Sequence, residues 1–66
     1  MSVAKVVEVT ASSPTSFEDA AKNGIDKASE TLHGIQGAWV SEQKIKVADG
    51  KITEFRVTLR ITFVLD

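Results

Sequence analysis

The side chains equipped for chemistry in this 66-residue chain are few. Trp39, the only tryptophan, offers a broad apolar ring with one N–H donor. That suits either stacking on a planar ligand or burial at a subunit contact. Arg56 and Arg60 stand four apart in a run of alternating residues. Guanidinium groups there serve an anionic ligand or a ring edge, or pair with carboxylates on a neighbouring strand. Lys46 is a point charge for a phosphate, or an ordinary solvated lysine. His33, the only histidine, precedes Gly34, where an imidazolium would complement the negative end of a helix. Ser12, Ser13 and Ser16 have no accompanying histidine and carboxylate to make one of them a nucleophile, and helix capping accounts for their type. No Asp or Glu pair is assigned to acid-base work by spacing alone. The set is one for binding, and the chain is not expected to be an enzyme.

The same inventory narrows the remaining classes. Without cysteine there is no disulfide, and one histidine cannot build a structural zinc site. A net charge of -1 with mixed signs gives no broad field for nucleic acid or an anionic membrane. No apolar run is long enough to span a bilayer. The opening Met1 to Lys5 leads into alternation containing Glu8 rather than the apolar core of a signal peptide, so the cytoplasm is the default expectation. At this length a single chain is near the lower limit for burying enough apolar surface to offset its lost conformational entropy. Disulfides and zinc being excluded, association with copies of itself is the expected remedy. No repeat, linker or low-complexity tract divides the chain, which reads as one domain over 1–66.

The elements that would position these groups follow from periodicity. Val3 to Thr10 is valine-rich and reads as a strand. The segment Ala11 to Ser16, with the only proline at Pro14, reads as a loop and helix start. Thr15 with Glu18, or Ser16 with Asp19, matches the capping-box spacing. Phe17, Ala20, Ala21, Gly24, Ile25, Ala28 and Leu32 recur at steps of three and four, which predicts one amphipathic helix closing at His33-Gly34. Small residues at its centre would let it lie close against a sheet.

A second strand is expected from about Gln36 or Gly37 to Val47. Ala38 and Val40 fall in one alternation phase and Ile45 and Val47 in the other, so a bulge or bend is expected near Glu42-Gln43-Lys44. Asp49-Gly50 is a hairpin turn signal. Phe55, Val57, Leu59, Ile61, Phe63 and Leu65 then alternate with Arg56, Thr58, Arg60 and Thr62, the clearest strand pattern in the chain. The expectation is an α+β fold of order β-α-β-β, a three-stranded antiparallel sheet wrapped on one helix. The arginine and threonine face is the part most open to function.

Lys5-Val6-Val7-Glu8-Val9, the run Ser12 to Ala20, the Asp49-Gly50-Lys51 turn and the strand Phe55-Arg56-Val57-Thr58-Leu59 ending in Phe63-Val64-Leu65 together resemble the dodecin family. The likeness covers nearly the whole chain. It implies a homododecamer, a hollow particle of cubic symmetry, that stores or sequesters flavin (riboflavin or FMN) at two-fold contacts without turnover. Family members that bind flavin stack a tryptophan from the second strand on the ring and hydrogen-bond it through a glutamine of the third. Counted back from Asp49-Gly50, the tryptophan position falls on Gly37, and Trp39 lies two residues on, on the same face. The glutamine position falls on Arg56, which donates but cannot accept. The resemblance therefore implies a flavin contact made by Trp39 and Arg56, with Gln36, Gly37 and Lys46 shaping the pocket. Val40-Ser41-Glu42-Gln43 and Gly50-Lys51-Ile52-Thr53 resemble more closely a subgroup that lacks the usual tryptophan and glutamine and is associated with calcium. For that alternative, a structural shell without a flavin site, no metal ligands are assigned beyond scattered carboxylates such as Glu8 and Glu42.

Overall fold

The computed structural model of the protein describes residues 3–65. Strand β1 spans Val3–Ser13, helix α1 Phe17–Ala28, strand β2 Ile35–Ala48 and strand β3 Lys51–Leu65. All three strands form one antiparallel sheet in the order β1-β3-β2, so the strand with the most regular alternation is the central one. This is the expected α+β arrangement. Among the described residues no helix is long and apolar enough to cross a membrane.

Local chemistry explains each boundary. Ser16, in an extended conformation, caps α1, its Oγ accepting from the Asp19 backbone N–H at 3.0 Å. Asp19 does not return the bond to Ser16. Its carboxylate instead accepts from the Ser13 hydroxyl at 2.6 Å and, more weakly, from the Asn23 amide at 3.4 Å. Ser13 is buried, and its Oγ also takes the Thr15 N–H at 2.9 Å, so it ties the end of β1 to the first turn of α1. Helix α1 closes earlier than expected, at Ala28 rather than at His33-Gly34. Glu30 and Thr31 donate to carbonyls three residues back, tightening the chain out of the α-helix. Gly34 does adopt a positive φ of 74°, but it uses it to enter β2, where its carbonyl accepts from Val64 N–H at 3.1 Å.

At the β2–β3 turn Asp49 and Gly50 have φ of 52° and 74°, the pair of left-handed residues that a two-residue hairpin needs. The bulge expected in β2 is present one residue before the predicted stretch, at Ser41, between Val40 paired with Leu59 and Glu42 paired with Thr58. Its hydroxyl donates to the Thr58 carbonyl at 3.3 Å. The effect is the predicted one: Ala38, Val40 and Ile45 share a face despite their opposite phases. Two further irregularities lie at Gln36 in β2 and Thr53 in β3.

The core is small. Val57, Leu59, Ile61 and Phe63 of β3 point at α1 and are buried with Ala20 of the helix. Gly24 permits the close approach of helix and sheet, since a Cβ there would stand 2.9 Å from Leu59 Cδ1 and 3.0 Å from Ala11 Cβ. Helix α1 packs on β1 and β3. Beyond Ile35, every residue of β2 is exposed. The molecule measures 52 × 19 × 13 Å with a radius of gyration of 13.6 Å, against about 11 Å for a compact chain of this length. Its accessible surface is 4737 Å², where a monomer of this mass normally shows about 4,100 Å².

Candidate functional site

The candidate site is the sheet face turned away from the helix. Antiparallel pairing puts directly opposed residues on the same face, so the register lays out this surface row by row. Glu8 of β1, Arg60 of β3 and Trp39 of β2 form one row. Ser12, Arg56 and Lys44 form another, with Thr10, Thr58 and Glu42 between the two and Lys46 opposite Glu54 beyond.

Trp39 is 50% exposed, so its indole is neither in the core nor covered by another part of the chain. Gly37 precedes it by two positions and faces Thr62. A Cβ at Gly37 would meet nothing within 4 Å, which leaves an open step of side-chain size next to the indole. Arg60, directly opposite Trp39, turns its Nε toward Glu8 Oε2 at 3.3 Å.

The charges further along the strand form a second group. Arg56 donates to Glu54 Oε2 at 2.9 Å, and Lys46 Nζ lies 4.0 Å from the same oxygen. Lys44 Nζ is 3.5 Å from Glu42 Oε1. All three carboxylates of this face, Glu8, Glu42 and Glu54, are thus held by a cation of the same chain. Arg56 Nε is shielded from solvent and has no hydrogen-bond partner. A donor left in that state costs desolvation energy that an incoming acceptor would recover.

The structure sets four of the five pocket residues expected from the sequence, Gly37, Trp39, Lys46 and Arg56, along this polar surface. Within one chain they are not gathered at a point. Trp39 pairs with Arg60, whereas Arg56 lies four residues further along β3, about 13 Å away at the usual rise of a strand. Gln36 is the extra residue between Ile35 and Gly37 and has no partner in the register. His33 lies exposed in the connection after α1, and the basic residue in the last helical turn is Lys27. Sequence reasoning missed Lys44 and Glu54. Counting outward from the Asp49-Gly50 turn misplaces both by one residue, because Thr53 is extra in β3. The apolar pair Ile45 and Phe55, which the extra residue brings opposite each other, was the available signal.

Among the described residues no three His, Asp or Glu side chains converge in a way that could hold a metal ion. A calcium site would want several oxygen ligands, so carboxylates from more than one copy would have to supply it.

Comparison with known proteins agrees with this architecture. The family model described as Dodecin matches residues 3–66. A calcium dodecin of Mycobacterium tuberculosis is 41% identical over 64 residues, covering 96% of this chain and 89% of its own. A dodecin from Streptomyces davaonensis is 34% identical and superposes with a TM-score of 0.94 over 98% of this chain and 96% of that one. The solved calcium dodecin of Mycobacterium tuberculosis, described as a calcium-chelating antigen with a novel calcium-binding site, is 35% identical, with a TM-score of 0.83 over 97% and 91% of the two chains. Sequence, element order and sheet topology agree that this chain belongs to the dodecin family.

Proposed function

We propose that this protein is a subunit of a self-assembling, non-catalytic shell, a homododecamer, that binds flavin on the outer sheet face where copies meet. The observation that carries the reading is Trp39, half-exposed beside the open step at Gly37 and opposite the guanidinium of Arg60. An unsupported tryptophan of this kind leaves a large apolar ring in water. Covering it with a planar ring is worth about 1–3 kcal/mol per stacked base in other aromatic platforms. Assembly is supported by the bare β2 face, where Val40, Ile45, Val47 and Ile52 are 42 to 59% exposed. Storage or sequestration follows from a site with donors and a stacking surface but no acid, base and nucleophile set.

Fluorescence titration of the assembled protein with riboflavin tests the flavin reading. Quenching of flavin emission at micromolar protein, lost in Trp39→Ala, is the expected result. Unquenched emission with the particle intact would remove it.

A second reading, that the shell binds calcium, has a specific ground in the two calcium dodecin matches. The outer face of this chain fits it less well, since Glu8, Glu42 and Glu54 each already meet a lysine or arginine. Calorimetric titration with calcium and melting before and after chelation separate the readings. Heat of binding and a chelator-dependent melting temperature would favour the ion over the flavin.

A further inference from the structure

We infer that the outer sheet face of this chain selects an anionic ligand, with Lys44, Lys46 and Arg56 forming a subsite for its phosphate-type group. The inference rests on the outer-face site proposed above and adds the charge of what that site takes. The chain as a whole carries a net charge of -1, but the outer sheet face is not representative of it. Four cations stand there, Lys44, Lys46, Arg56 and Arg60, against three carboxylates. The surplus has a location. Arg60 is matched by Glu8 and Lys44 by Glu42, whereas Arg56 and Lys46 share the single carboxylate of Glu54.

Three details make this group a receiver of negative charge rather than a solvated strand face. Lys44 stands directly across from Arg56, so two cations are cross-strand neighbours, an arrangement that repels unless an anion lies between or above them. The shielded Arg56 Nε lacks an acceptor. A phosphate would supply one, in the charge-assisted form that guanidinium groups favour. The separation also matches a ligand with two ends. The cationic group lies about 13 Å along the strand from Trp39, a span covered by a planar ring, an extended chain and a long lysine side chain. Divalent cations would meet the opposite field, which is why the carboxylates here do not read as a calcium site.

The test titrates the assembled protein at low salt with riboflavin, with flavin mononucleotide, which adds only a phosphate, and with pyrophosphate alone. The mononucleotide is expected to bind about tenfold tighter than riboflavin, the effect of one charge-assisted contact, with the gap closing at high salt. Lys44→Met should narrow that gap while leaving riboflavin affinity unchanged. Glu54→Gln, which frees Arg56 and Lys46 from their shared carboxylate, should widen it. Equal affinity for the two flavins would overturn the anionic subsite and leave the flavin reading standing. Pyrophosphate binding without either flavin would support the subsite and end the flavin reading. Silence of all three ligands on an intact particle would overturn both.

Discussion

The two ends of the sheet use similar residues to opposite effect. Under α1, the branched and aromatic residues of β3 are nearly inaccessible, Ile61 at 0% and Val57 at 1%. Toward the hairpin tip, Ile45, Val47 and Ile52 are about as apolar and 46 to 59% exposed, although Ile45 shares the helix-side face with Leu59 and Ile61. Nothing in the residue types separates the two groups. The helix, 12 residues long, simply does not reach that far along strands of 14 and 15 residues. A fold that spends its only helix on β1 and β3 leaves β2 to be covered from outside, and further copies of the chain are the cover we propose.

The comparison predicts different failures for the two regions. Ile61→Ala removes a fully buried side chain from a core of very few residues and should cost about 3–4 kcal/mol, enough to unfold most of the isolated subunit. Chemical denaturation checks it. Ile45→Glu should leave the subunit's fold intact and act on association, forfeiting about 2 kcal/mol of burial per copy. Circular dichroism should stay folded while sedimentation shifts to smaller species. If Ile45→Glu instead unfolded the chain and left no folded small species, the division between a self-sufficient half and a dependent half would fail.

Smaller effects sharpen the same picture. Ser16→Ala removes the cap of α1 and should lower stability by about 1 kcal/mol, read as a reduced denaturation midpoint with assembly retained. Asp26→Asn should not change the melting temperature measurably at neutral pH, because the Lys22–Asp26 pair is fully exposed. Its signature is in titration. The hydrogen bond from Asp26, and then its charge, raise the Lys22 pKa, so the pair's contribution is whole below the ordinary lysine value and is lost as pH climbs through the raised one. In Asp26→Asn the Lys22 titration followed by NMR should fall back toward that ordinary value.

Much of this fold was legible in the residues because local chemistry and tertiary packing agree. The alternation of Phe55 to Phe63 marks the central strand, Asp49-Gly50 the turn, and Ser16 with Asp19 the helix start. The phase change in β2 announced a bulge, misplaced only because several neighbouring positions restore the same face and the Ser41 hydroxyl, with its bond to Thr58, decides among them. The helix end was misjudged for a related reason. Gly34 does take the left-handed conformation that closes helices, but it serves the entry to β2, and the turn at Glu30 and Thr31 had no comparable signal. For the site, Trp39 and the arginines could be named from type alone. Which of them meet depends on register, and register here is set by three irregularities whose sum cannot be counted from the turn. The neutralised carboxylates and the surplus charge at Arg56 became visible only once those rows were fixed.

Native mass spectrometry of the untreated protein tests the central claim most directly, that the bare β2 region is completed by copies of the same chain. The account predicts one closed multiple of the subunit mass, a dodecamer, with Ile45→Glu shifting it to smaller folded species. A folded monomer persisting at high concentration, with Val40, Ile45, Val47 and Ile52 still in water, would contradict it.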